Sequence, residues 1–280
     1  MRFQATARQV DRQMALPGRS PRTTDGAMPR PATKKRSADS SVVTGDASAS
    51  SRPAAVEAAP TPPVAVPFFA ERLALVERYV GWLAGPGLER GLIGPRELPR
   101  LWERHVLNCA VVKEALSAGA TAADIGSGAG LPGLVLAIAR PDVHMTLMEP
   151  LQRRSRFLNE VVVDLGLTNV DVVRARAEEL ADTVAVDVVT ARAVARLERL
   201  ARWALPLLST GGRLLALKGD SAEEEVAEAA DTLARMGAVS CTIRDFGHGI
   251  VQPPTRVVVV EVGPRVREAV ARRRRRKGAR

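Results

Sequence analysis

Asp124-Ile125-Gly126-Ser127-Gly128-Ala129-Gly130-Leu131-Pro132-Gly133 begins at the end of a short strand expected at 122–125 and leads into an apolar run that continues to residue 139. Glycines at this density let a backbone take positive φ and come close to a ligand, so the segment reads as a strand–loop–helix turn with a binding role. Working outward, further strands are expected at 145–148, 170–174, 186–189, 214–217, 240–244 and 256–262. Helices are expected at 131–139, 153–165, 197–208 and 222–236. Strands alternating with helices specify βαβ units and a largely parallel sheet buried by helices. Only a Gly- and Pro-containing loop at 246–254 separates the last two strands, so they should close one edge as an antiparallel hairpin.

Upstream of the sheet the period changes. Phe69, Leu73, Val76, Val80 and Leu83 recur at helical spacing and stop near Gly85-Pro86-Gly87. After Gly94-Pro95, Leu98, Trp102, Val106, Cys109, Val112 and Leu116 mark a second helical face. These give four regions: a disordered N-terminal extension over 1–66, a helical N-terminal lobe over 67–118, a ligand-binding domain over 119–263 and a basic C-terminal tail over 264–280.

Charge is distributed unevenly among them. The chain of 280 residues carries a net +10, but residues 1–60 hold +5 and residues 264–280 hold +8, which leaves the middle near −3. The extension is rich in Ala, Ser, Thr, Pro and Arg and too poor in large apolar groups to offset its ordering entropy. It is expected to be a disordered extension or an over-long start rather than a transit peptide, and it has no apolar core of a secretory signal. Five consecutive arginines at 272–276 repel one another and suit an arm on RNA phosphates, or simply a solubilising tail. Two cysteines, Cys109 and Cys241, are too few for a disulfide framework or a Cys-rich zinc site, which points to a reducing compartment. No apolar run approaches the roughly 18 residues of a spanning helix, so no membrane association is expected, and no metal.

The glycine loop also fits G-x-G-x-x-G through Gly128, Gly130 and Gly133, with Glu149 21 residues beyond Gly128. Spacing alone therefore admits a dinucleotide. Charge separates the alternatives, because a pyrophosphate on this loop would be repelled by Asp124 at the end of the first strand. S-adenosylmethionine carries no phosphate and two positive groups, which Asp124 would attract directly or through water. Glu149, ending the second strand, is then placed to accept hydrogen bonds from the ribose hydroxyls. Ala177-Glu178, Thr190-Ala191-Arg192-Ala193 and Lys218-Gly219 follow the next three strands and line the same crevice. The Asn/Asp-Pro-Pro-Tyr/Phe segment of amino-group methylation does not follow the fourth strand, and neither cysteine is placed as a nucleophile for cytosine C5. A guanine N7 has a free in-plane lone pair and needs neither device.

Five segments in order resemble the RsmG (GidB) family of 16S rRNA guanine-N7 methyltransferases: Arg104-His105-Val106-Leu107-Asn108, the loop 124–133, Arg153-Arg154-Ser155-Arg156-Phe157-Leu158, Thr190-Ala191-Arg192-Ala193 and Ala216-Leu217-Lys218-Gly219. The likeness covers about 68–262; at position 108 an Asn stands where the family motif would read Asp. It implies a class I S-adenosylmethionine-dependent methyltransferase fold, Rossmann-like, with a mostly parallel seven-stranded α/β sheet. It also implies a cytoplasmic enzyme acting on the guanine at standard position 527 of 16S ribosomal RNA, free or in the small ribosomal subunit. Cofactor contacts carried over are Gly126, Leu131, Ala177, Glu178 and Arg192, with Asp124 and Glu149 as supporting acids; Gly128 joins them from the loop itself. Arg192 and Lys218 are expected to hold the guanine O6 edge or a phosphate, and His105 with Arg104 to close the pocket from the lobe. A monomer is expected. Aromatic residues make up only 3% of the chain, so recognition should rest on RNA shape and phosphates rather than stacking. Two other readings stay open on the residues alone: a NAD-dependent oxidoreductase and a non-catalytic RNA-binding ribosome-assembly factor.

Overall fold

The apolar runs pair into one seven-stranded sheet of order β3-β2-β1-β4-β5-β7-β6. The computed structural model describes residues 60–181 and 183–264. Residues 1–59 of the expected extension and 265–280 of the expected tail lie outside the described residues. β1 (Thr121–Ile125), β2 (His144–Met148), β3 (Val170–Val173), β4 (Val186–Arg192) and β5 (Leu208–Leu217) run parallel. β6 (Ala238–Phe246) and β7 (Thr255–Val262) form the antiparallel hairpin at the edge, as the short connection required. This is the class I S-adenosylmethionine-dependent methyltransferase architecture expected from the sequence.

Strand order reverses at β1/β4, where the chain turns from one half of the sheet to the other, and open α/β sheets bind ligands outside the carboxyl ends of the strands at such a point. Two apolar layers cover the sheet. On one face α4 (Gly133–Ala139), α5 (Gln152–Leu165) and the helical lobe share a core built on Leu134, Leu147, Phe157 and Val161. On the other, α7 (Leu197–Ala204) and α8 (Ala222–Arg235) pack Leu200, Ala204, Ala229 and Leu233 over Val189, Leu214 and Val260. A short α6 (Ala177–Leu180) follows β3.

β4 and β5 exceed their expected lengths for an identifiable reason. Thr190 and Ala191 pair with Asp124 and Ile125 of β1, and Arg192 pairs with Leu217, so the polar end of β4 is still ladder. β5 starts at Leu208 and carries Gly211 and Gly212 through a register shift, and glycines at a bulge hide a strand from pattern reading.

The lobe begins with α1 (Ala65–Phe69) and α2 (Leu73–Trp82), and the chain does not break at Gly85-Pro86-Gly87. It passes through a wide π-type turn over Leu83–Gly87, which takes the Pro86 ring without ending the helix. The second run winds through Pro95–Arg100, Leu101–Leu107, α3 (Asn108–Ala110) and Val111–Ala115, alternating tight and wide turns. All six residues of its expected apolar face, Leu98, Trp102, Val106, Cys109, Val112 and Leu116, are buried.

Arg140, just after α4, ties lobe to sheet. Its guanidinium donates to the carbonyls of Lys113 (3.1 Å), Leu116 (2.7 Å) and Ser117 (3.0 Å) and to both carboxylate oxygens of Asp142, holding Asp142 well below the ordinary aspartate range. An Arg140→Met substitution removes the donors to three carbonyls at the end of the lobe helix, of which those of Lys113 and Ser117 keep a backbone N–H and that of Leu116 does not. Urea unfolding should show a loss of about 2 kcal/mol with an unchanged m-value.

Candidate functional site

Asp124, the last polar residue of β1, is fully buried. Its carboxylate accepts a hydrogen bond from Thr190 Oγ1 (2.9 Å) on β4 and a longer one from the Gly133 N–H (3.3 Å) at the start of α4, so it turns back beneath the glycine loop. Close approach demands the glycine, since a Cβ on residue 133 would stand 2.8 Å from Asp124 Oδ2. Burial outweighs those hydrogen bonds and pushes the Asp124 carboxyl up to about 7.

Above it, Gly126, Gly128 and Gly130 all take positive φ, which favours glycine at each. Glu149, at the end of β2, is almost fully buried and accepts N–H groups from Gly128 (3.0 Å) and Leu151 (2.9 Å). A carboxylate has about four acceptor positions, so two remain for hydroxyl donors. Leu131 is half-buried against the core, and Ala177 and Glu178 form the first turn of α6 beyond β3. The acceptor set therefore suits a ligand with hydroxyls and positive charge.

Tyr79, the only tyrosine of the chain, reaches from α2 to give its hydroxyl to the Ala129 carbonyl at 2.9 Å. The ring is fully buried, and that burial raises its hydroxyl well above the ordinary tyrosine value. The lobe thus holds the glycine loop from outside while Asp124 holds it from beneath.

A cleft of about 770 Å³ adjoins the loop, between the lobe, the ends of β4 and β5 and the β6–β7 connection. Six cations, Arg104, Arg192 and Lys218 among them, and four acids, Glu103, Asp220, Glu225 and Asp245, line it. The partition between loop and cleft is the segment Arg192-Ala193-Val194. Ala193 turns with φ of 54°, and Val194 lies 3.1 Å from where a Cβ on Gly126 would stand.

Arg192 is held by the lobe. One terminal nitrogen donates to the Cys109 sulfur (3.2 Å), and the other to the Arg104 carbonyl (3.0 Å) and to His105 Nδ1 (2.9 Å). Lys218 donates to the Ala195 carbonyl (2.7 Å) and to Glu225 Oε2 (2.6 Å), a nearly buried ion pair, leaving one of its three N–H groups uncommitted. Glu225 also receives the Leu197 N–H, so the pair fixes the loop that carries residues 193–196.

A family model described as rRNA small subunit methyltransferase G matches residues 72–252. The chain belongs to that family. Proteins named ribosomal RNA small subunit methyltransferase G are 55% identical over 210 residues in Streptomyces avermitilis, covering 75% of this chain and 88% of the relative, and 54% identical over 218 residues in Salinispora tropica, covering 74% and 90%. The Streptomyces coelicolor protein of the same name is also 55% identical over 210 residues.

Within this family member, the structure brings Asp124, Gly126, Gly128, Leu131 and Glu149 together around the loop and Arg192 and Lys218 at the cleft, while His105 stands behind Arg192 and outside the cleft lining. One expectation changes in kind: Asp124 faces Thr190 and Gly133 rather than open space, so its charge acts through the loop. Another concerns chain position, since Thr190 to Arg192 belong to β4 instead of following it. Sequence reading missed Tyr79, Glu97 and Glu225. Tyr79 borders the apolar stripe of α2, and a lone tyrosine beside such a stripe was its only signal.

A carboxyl whose folded value is raised stabilises the protein fully below its ordinary value of 3.8, and that contribution is lost as pH rises through about 7. Cofactor-free protein should therefore lose stability across that window, and Asp124→Asn should remove this part of the slope. Urea unfolding of both proteins between pH 4.5 and 8 measures the difference.

Proposed function

We propose that this chain transfers the methyl group of S-adenosylmethionine to N7 of one guanine of 16S ribosomal RNA, the residue at standard position 527, acting in the cytoplasm as a monomer. The observation that carries the reading is the two-chamber arrangement: a glycine cradle backed by two acids meets, across three residues, a cleft whose charged lining is six cations and four acids. Bound in the cradle, the cofactor supplies an electrophilic methyl on a positively charged sulfur. The guanine N7 lone pair forms the new N–C bond while the C–S bond breaks, and the sulfur keeps the electron pair. No proton moves, so no general base is needed.

The protein's contribution is position and field. Glu149 accepts the ribose hydroxyls, and buried Asp124 favours a cation above the loop. Ala177 and Glu178 at the start of α6, with Leu131, line the far side of the cradle. Arg192 stands in the partition. The product base is cationic, so Arg192 works at O6 or at the cofactor and not at N7 itself. Lys218 keeps the crossing loop in place and offers its remaining N–H to the cleft. Cations at the rim suit RNA phosphates, which give affinity without reading sequence. Arg104 closes the cleft from the lobe, and His105 supports Arg192 from behind.

Incubating the protein with methyl-labelled cofactor and 16S rRNA, supplied free, in an assembly intermediate or in the mature subunit, should yield one N7-methylguanine, mapped by strand scission at the modified base. Calorimetry showing NAD(H) binding and no S-adenosylmethionine binding would overturn the reading, as would salt-sensitive RNA binding without methyl incorporation in all three RNA states. An Arg192→Met variant should fold normally yet slow single-turnover transfer about a hundredfold, because a misplacement near 1 Å costs on that order.

A further inference from the structure

Resting on the reading above, we infer that Glu97 and His105 form a positioning relay that aims Arg192 only while the His105 ring is neutral. Glu97 lies in the tight turns of Pro95–Arg100, His105 in the wide turns of Leu101–Leu107, and Arg192 at the end of β4. Glu97 Oε2 lies 2.8 Å from His105 Nε2, and His105 Nδ1 lies 2.9 Å from Arg192 Nη2.

The hydrogen-bond roles follow from the ends of this line. A guanidinium nitrogen can only donate, so Nδ1 accepts, and the single ring proton of a neutral imidazole then sits on Nε2, facing the Glu97 carboxylate. Protonation would place an N–H on Nδ1 against the Arg192 N–H and set two cations side by side. The contact would turn from attractive to repulsive, and Arg192 would keep only its bonds to the Arg104 carbonyl and the Cys109 sulfur.

The charged groups facing the ring are Arg192 from β4, Glu97 from the preceding turn and Arg104 from its own segment. Burial, Arg192 and Arg104 lower the His105 value, while the bond and charge of Glu97 raise it. The ring is only 13% exposed, and its hydrogen bonds hold it in line with Arg192. The relay thus stands on distances and donor chemistry. Its two outer members, moreover, belong to parts of the chain far apart in sequence.

Its consequence is a pH dependence with a recognisable author. Below the His105 value, Arg192 is released and transfer falls. Glu97→Gln keeps an acceptor for the Nε2 proton but removes the charge that favours imidazolium, so the His105 titration and the acid limb should both move to lower pH, by about one unit. His105→Asn offers an oxygen to Arg192 and cannot titrate, so it should transfer several-fold faster than His105→Ala and lose that limb. His105→Ala provides neither and should lower transfer at least tenfold.

Because the chain has three histidines, the His105 ring signal can be assigned by proton NMR from its absence in His105→Asn. Single-turnover transfer is then measured from pH 5 to 8.5 in the wild type and all three variants. The relay is supported if the kinetic midpoint follows the His105 titration in Glu97→Gln. It is overturned if that midpoint stays fixed while His105 shifts, as an Asp124 origin would require, or if His105→Asn transfers no faster than His105→Ala. A wild type that fails to transfer methyl at any pH would instead refute the proposed function, so the two failures are separable.

Discussion

A carboxylate that has lost its water governs this molecule. Asp124 draws on β4 through Thr190 and on α4 through the Gly133 N–H, and the glycine loop is folded over what results. Burying a charge this deeply is unfavourable unless hydrogen bonds or a nearby cation offset it, and two hydrogen bonds do so only in part. The loop is therefore built over a site that a positive ligand would complete. Glycines at 126, 128, 130 and 133 follow from the same demand, since side chains there would be strained by φ or would collide with the acid or its neighbours.

Around that centre the lobe acts as a second frame. Tyr79 grips the loop, Arg140 gathers the carbonyls at the lobe's end, and the carbonyl of Arg104 with the side chains of His105 and Cys109 receives Arg192. The sheet alone would present Arg192 on a strand end with free rotamers. Held between β4 and the lobe, it has one direction, and a side chain oriented before its ligand arrives loses less entropy on binding. Lys218 and Glu225 do the corresponding work below the cleft by pinning the crossing loop to α8.

How much of this could be read from the chain depended on the range of the forces involved. Strand existence and the terminal hairpin were legible because apolar alternation and a short Gly/Pro connection are local signals, and Asp124, the glycines and Glu149 stood out through spacing. The continuation of β4 through Thr190 and Arg192 was not, since those polar residues are kept in the ladder by partners on β1 and β5. Pro86 looked like a stop because a wide turn that accommodates its ring leaves no trace in periodicity. Glu97 and Tyr79 are ordinary residues in sequence and acquire meaning only through bonds to positions 8 and 50 residues away.

The cation-lined cleft has one more consequence for turnover. Methyl transfer of the kind proposed does not cancel charge; it relocates it, leaving a neutral thioether in the cradle and a cationic base among Arg104, Arg192 and Lys218. The same surroundings that welcomed an electron-rich purine then push against what it has become. In the proposed reaction that push works against the hold of the same cations on RNA phosphates, and the carboxylates of Glu103, Asp220, Glu225 and Asp245 in the cleft wall temper both.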